Sequence, residues 1–389
     1  METATRMRHL SPAARGWMPA RAAAAVLLVL VQAGGLLLAG GGPGASAQPL
    51  PSPSRGMVIP NAPGDLLLGV RCTSADNCWA VGENGADHAQ ALHWNGRRWA
   101  TVATPNPGNY FDVLDDIACT SASNCWAVGS AAYTSFKAPN MALHWNGLTW
   151  SLVSTPSPET GQGFNELHSV TCVSASDCWG VGDTSLGGEI LHWNGGTWSL
   201  APQPPGELEG VRCTSSANCW AVGTERSLNM ALHWNGHRWS AVPTPGSGVL
   251  SSVRCTSAAY CLAVGASGQG GYLNEAARWN GSAWSLVSTP KPHGTIHDRR
   301  GLAGLACTSP SNCWAVGPPL EGFETSLVNQ ALHWNGRGWS YVSVPSPGTG
   351  EQPVLSAVSC TSSANCWAVG SDGSGNQVLH WNGNKWSVA

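Results

Sequence analysis

Short runs of alternating apolar and polar residues recur from about Asp65 to the end of the chain, in the same order each time. The first run reads L-x-x-V-x-C, as in Leu208 to Cys213. The second is C-W-A-V-G, as in Cys219 to Gly223. The third is A-L-H-W, as in Ala231 to Trp234, and the fourth is W-S-x-V, as in Trp239 to Val242. Alternation with a period of two, bounded by Gly, Pro, Asn or Ser, predicts four short β-strands, a to d, joined by turns. The set occurs seven times. First cysteines run from Cys72 to Cys360 with a mean period of 48 residues, the spacing of propeller blades. Seven four-stranded antiparallel units closing on themselves predict an all-β, seven-bladed β-propeller over 65–389. The blades fall at about 65–104, 112–155, 164–202, 206–244, 248–289, 300–344 and 353–389.

The cysteines sharpen this picture. All 14 lie in the repeats as pairs with five residues between the partners. The pairs are Cys72 with Cys78, Cys119 with Cys125, Cys172 with Cys178, Cys213 with Cys219, Cys255 with Cys261, Cys307 with Cys313, and Cys360 with Cys366. Zinc pairs are spaced by two to four residues, so one a–b hairpin disulfide per blade is the expectation. Each closes a short loop and contributes at most about 2 kcal/mol on the chain-entropy model. The c–d connection, N-G-x-x between two Trp, predicts a tight turn. A four-residue loop sets the two Trp opposite each other, whereas a two-residue Asn-Gly turn shifts that register.

Ahead of the repeats, residues 22–39 form an apolar run, followed by Ala45-Ser46-Ala47. Residues 1–47 therefore read as a secretory signal and 48–64 as a Pro-rich linker; the alternative is an uncleaved anchor. Within the linker, Arg55 to Pro60 resembles a degenerate strand d that could lie along blade seven. Charged residues are only 11% of the chain. Beyond residue 47, fifteen basic residues face twenty-one acidic ones, which excludes a phosphate-neutralising stripe and so a nucleic-acid binder. A secreted or cell-envelope monomer without a membrane span is expected.

The Gly ending strand b, the Trp opening strand d and the following Pro (Pro105, Pro156, Pro245, Pro290, Pro345) resemble kelch-type propellers and the Asp-box hairpins of sialidase-like blades. Two departures stand against the likeness. Strand b reads Ala-Val-Gly rather than Gly-Gly, and Asn95 and its equivalents stand where Asp boxes carry Asp. The chain also resembles the Trp- and Cys-rich secreted repeat proteins of actinobacteria and related soil bacteria, a likeness that implies no activity.

Between copies, the a–b loop is fixed at five residues, while the b–c and d–a loops vary. Those loops emerge on one face, which is the candidate binding face. The d–a loop between blades five and six gathers His293, His297, Asp298, Arg299 and Arg300, a set suited to a carboxylate or sulfate. The loop before blade two offers Asp112, Asp115 and Asp116 beside Tyr110 and Phe111, donors for Ca²⁺ or a platform for a sugar. Arg71, Arg212 and Arg254 precede the first Cys in the innermost strand; they either attract an anion near the axis or bridge blades. Six equivalent His (His93, His144, His192, His233, His333, His380) predict a repeated structural hydrogen bond. Blade five deviates at Tyr260, Leu262 and Arg278. Asp115, Asp116 and Glu209 are the acidic residues expected in strand a, too few for the carboxylate pair of a glycosidase. The expected function is a non-catalytic propeller binding glycan or extracellular protein through the variable face; the alternative is a carbohydrate-active enzyme, a glycosidase, lyase or sialidase-like protein.

Overall fold

The computed structural model describes residues 59–134, 137–161, 163–202, 204–268, 273–290, 301–321, 327–345 and 353–389. Residues 1–47, read above as a secretory signal, lie outside them. Each repeat forms an antiparallel sheet in the order a-b-c-d, and the seven sheets make a seven-bladed propeller. Strands a are Leu66–Ser74, Phe111–Ser121, Gly163–Ser174, Glu207–Ser215, Gly248–Ser257, Gly304–Ser309 and Val354–Ser362. They pack on one another around the axis, that of blade seven against that of blade one. Lys137–Ala138, from the b–c connection of blade two, pairs in parallel with Gly163 and Phe164 and widens blade three by one strand. Among the described residues no helix is long and apolar enough to cross a membrane.

All seven cysteine pairs are disulfides within their own a–b hairpin, as the spacing predicts. Cys72 is bonded to Cys78, Cys119 to Cys125, Cys172 to Cys178 and Cys213 to Cys219. Cys255 is bonded to Cys261, Cys307 to Cys313 and Cys360 to Cys366. The partners stand directly opposite each other, with Cα–Cα distances of 3.9–4.1 Å, and no cysteine is free. The second cysteine of each pair is the better buried: Cys78, Cys125, Cys178, Cys219, Cys261, Cys313 and Cys366 are all sealed in the core.

Trp94 stands opposite Trp99, so the c–d loop has four residues. Asn95 Oδ1 accepts the N–H groups of Arg97 and Arg98 at 3.1 Å each, and Gly96 supplies the left-handed φ of 85° that the turn needs. The His row also behaves as a repeat. His93 Nε2 lies 2.7 Å from Asn77 Oδ1 and its ring leans on Trp79. In blade three Asp177 takes the place of the Asn.

Blades are joined mainly by side chains, with backbone hydrogen bonds crossing at the Lys137–Ala138 pairing and at single points such as Asp112 N–H to the Asp87 carbonyl. The strand-b Trp of one blade enters between the strand-c and strand-d Trp of the next. Trp79 meets Trp145 at 4.7 Å and Trp150 edge-on at 5.1 Å. Trp126, Trp179, Trp220 and Trp314 repeat the arrangement. Trp367 closes the ring on Trp94 and Trp99 of blade one. Blade five lacks the wedge because Leu262 replaces Trp. Tyr260 compensates: it packs beside Leu262, donates its hydroxyl to the Pro310 carbonyl and accepts Trp334 Nε1–H. The Asn/Trp/His set of the other blades is thus exchanged together for Tyr260, Leu262 and Arg278.

A second, polar clasp lies further toward the variable face. An Asn opening strand c donates to a Gln or Glu of the next blade: Asn140 to Glu189 at 2.8 Å, Asn329 to Gln377 at 2.9 Å, Asn376 to Gln90 at 3.1 Å. Asn229 and Asn274 make the same bond to Glu275 and Gln330. At the two remaining junctions the pair is apolar, Ala89 with Met141 and Gly188 with Met230. Several of these Asn also donate to the proline carbonyl that ends strand d of their own blade, such as Pro156 and Pro245. For Asn376 that carbonyl belongs to Pro60. Asn61 accepts the Asn376 N–H, and Ile59 packs with Trp367 and Ala389. Residues 59–61 therefore complete blade seven.

These junctions can be tested at two residues. Asn376→Ala strands the buried Gln90 and the half-buried Pro60 carbonyl, and chemical denaturation should show a loss of about 2–3 kcal/mol. Glu189 is 1% exposed; burial pushes its carboxyl up to about 8 against the pull of Asn140. The folded chain then keeps a proton that the unfolded chain has released, so stability falls as pH rises from 4.5 to 8. Glu189→Gln should remove that fall, seen as a smaller difference in melting temperature between about pH 5 and pH 8.

Candidate functional site

Plain alternation fails at one place in strand a, and that place makes the site. A β-bulge interrupts the a–b ladder between Leu67 and Gly69, and it recurs at Leu114/Asp116, Leu167/Ser169, Leu208/Gly210, Leu250/Ser252 and Leu355/Ala357. It carries the strand-a backbone against the Gly ending strand b. A Cβ on Gly82 or Gly223 would sit 2.0 or 1.9 Å from a strand-a carbonyl oxygen. That contact is the physical reason for the Gly in Ala-Val-Gly. The bulge re-aims the extra residue, and the extra residues are Leu68, Asp115, His168, Glu209, Ser251 and Ser356. Together with Ala303 of blade six, they line a cavity of about 100 Å³ on the axis. The residue before each bulge is Leu in all seven copies; the bulged residue differs between most of them.

Three layers follow the axis. Nearest the variable face, Glu166 and Asp183 stand side by side in register. Glu166 is sealed at 0% exposure, behind the wall that Asp115 and His168 present to the cavity. Burial pushes the Asp115 carboxyl up to about 7; His168 opposes the shift, and Glu83, Asp116 and Glu209 reinforce it. Burial also works against a charged His168, but the charge and hydrogen bond of Asp183, then Glu209 and Glu166, prevail and hold it well above its usual value. In the middle layer Asp116 Oδ2 accepts Ser169 Oγ–H at 2.8 Å and Val170 N–H at 3.0 Å. This carboxylate ties blade two to blade three.

The third layer holds Arg71, Arg212 and Arg254. The other blades place Ala118, Thr171, Ala306 and Ser359 there, which leaves room around the axis for long side chains. Burial lowers the pKa of all three Arg. Arg212 falls to about 9, with Arg71 and Arg254 adding repulsion and Asp116 opposing it. Nε of Arg71 and of Arg212 is buried with no hydrogen-bond partner. Arg254 donates to the carbonyl of Val253.

Of the residues singled out from sequence, Asp115, Asp116, Arg71, Arg212 and Arg254 meet on the axis. Asp112 does not join them: its Oδ1 accepts Gly108 N–H at 2.9 Å. Phe111 is buried with Val113, Ala132 and Ala138, with Tyr110 half-buried beside it. His293, His297, Asp298, Arg299 and Arg300 lie outside the described residues. The expectation that Asp115, Asp116 and Glu209 exhaust the strand-a acids needs correction, because the strands also take in Asp112, Glu166 and Glu207. His168 was missed as well. Aligning the copies on the invariant Leu exposes it, since His168 then falls in the same column as Asp115 and Glu209.

No known family and no curated protein matches the sequence. Solved structures resemble the fold. YCF48 bound to D1 peptide is 15% identical with a TM-score of 0.54, over 83% of this chain and 93% of that one. A GH74 enzyme of Niastella koreensis is 14% identical with a TM-score of 0.61, over 85% of this chain and 55% of that one. A PL25 ulvan lyase is 8% identical with a TM-score of 0.57, over 86% and 97%. These likenesses carry the propeller architecture. Neither the kelch nor the Asp-box likeness gains a family match.

The Arg layer makes a direct prediction. Arg212→Met removes one of three mutually repelling buried cations, so the melting temperature at pH 7 should rise by several degrees. A fall instead would identify Arg212 as a bridge between blades.

Proposed function

We propose that the protein is a secreted, non-catalytic binding propeller. Its face of b–c and d–a loops takes a glycan or an extracellular protein, and the axial cavity receives a polar group of that ligand. The row of bulged residues carries this reading: one position on seven equivalent strands holds different side chains inside an otherwise uniform frame. Uniform positions answer to packing, and a varied row around a cavity answers to an occupant. The kelch-like pattern of Gly, Trp and Pro agrees, as does the solved propeller YCF48 bound to D1 peptide. In this reading the d–a loop that carries His293, His297, Asp298, Arg299 and Arg300 contributes to the ligand contact. Seven disulfides suit an oxidising compartment, and the apolar run at 22–39 supplies the export signal.

The enzyme reading draws on one observation: Asp115, pushed up to about 7, has the proton affinity of a general acid at neutral pH. A glycosidase needs a second carboxylate that reaches the sugar. Glu166 is sealed and Asp116 is engaged with blade three, so neither is placed to act on a sugar. Binding is therefore the better account.

A glycan array and a panel of secreted-protein peptides, probed with the full chain, test it. Ser251→Phe fills the cavity and should weaken the best binder at least about tenfold, while Arg299→Ala with Arg300→Ala should weaken it less. Release of reducing ends or of unsaturated uronate from any bound polysaccharide would overturn the non-catalytic assignment.

A further inference from the structure

The layer nearest the variable face contains a donor set with the geometry of an ion site. Asp115 comes from blade two, and Glu166 and His168 from blade three. One donor atom of each lies within 4.8 Å of the other two. Donors around an ion at about 2.1 Å lie roughly 3–4 Å apart, so small side-chain adjustments close the set. His168 is 7% exposed. Its Nε2 is 2.5 Å from Asp183 Oδ1, and its Nδ1 is buried without a hydrogen-bond partner. A carboxylate on the far nitrogen fixes the ring, and a metal that displaces the Nδ1 proton takes the lone pair so released. Asp115 Oδ2 is likewise buried without a partner.

Charge points the same way. Asp115, Glu166, Asp183 and Glu209 gather around one imidazole. A divalent cation would offset two of those charges. The axial cavity borders both Asp115 and His168, giving an entry path and room for waters to complete the coordination. An imidazole with two carboxylates suits a first-row transition ion better than calcium, which takes oxygen donors.

We propose that Asp115, Glu166 and His168 bind one Zn²⁺ or Mn²⁺ ion on the propeller axis, with Asp183 as the positioning residue behind His168. The ion occupies the wall of the cavity and exposes its open positions to whatever enters. This site stands independently of the glycan or protein assignment.

The test uses the full chain stripped with EDTA and titrated calorimetrically with Zn²⁺, Mn²⁺ and Ca²⁺, with Co²⁺ absorption reporting nitrogen ligation. The expected result is one transition ion per chain and a Co²⁺ spectrum that changes on His168→Gln. Asp115→Asn should weaken the ion about 100-fold, and Asp183→Asn by about 10–100-fold at unchanged stoichiometry. Thermal melts of the metal-free variants confirm folding; if His168→Gln does not fold, Asp115→Asn decides. No uptake of Zn²⁺ or Mn²⁺, uptake of Ca²⁺ alone, or unchanged affinity in Asp115→Asn would overturn the proposal.

Discussion

The ring depends on the insertion of one indole between two others at the seam of neighbouring blades. Few backbone hydrogen bonds cross from one sheet to the next, so side chains hold most of each seam. The strand-b and strand-d indole N–H groups are buried without conventional partners. The near-perpendicular rings, 82° to 90° between strand b and strand d, offer the aromatic faces that such edges favour. Each edge-on pair adds about 0.5–1.5 kcal/mol beyond its buried area. Where Leu262 breaks the series, Tyr260 restores both volume and polarity by satisfying Trp334.

The frame was legible because it is periodic. Disulfide pairing, strand order and the shared His bond all repeat, and each copy confirms the others, whereas the repeat leaves the c–d turn open between two and four residues until the Trp94–Trp99 register decides it. The axial site was not, because it rests on a departure from alternation. A bulge has no residue signature of its own in strand a. Its trace lies across the ladder, in the Gly that tolerates the close carbonyl, and that Gly reads as an ordinary strand end until the contact is seen. Glu166 and His168 escaped notice for this reason. The three Arg were visible as a column, yet their mutual repulsion appears only once blades one, four and five are wrapped around one axis.

The same departure explains how a uniform frame holds a diverse interior. Six of the seven positions after the bulged residue are Gly, Ser or Ala, and three of the Gly would place a Cβ about 2.8–2.9 Å from the neighbouring blade's backbone. Asp116 is the exception, and it is accommodated by hydrogen bonds across the seam. Close packing there fixes the backbone, so chemistry can change one residue earlier without disturbing the wheel.

The clasp between Asn and Gln or Glu, set against Ala or Gly with Met, makes every boundary a matched lock. A duplicated or exchanged blade must bring the correct half to each side, or it buries an amide against a thioether. Copies that look alike therefore fall into classes by the halves they carry, and only members of one class could trade places without disturbing a joint. The sevenfold repetition is a circle with an order written into its joints.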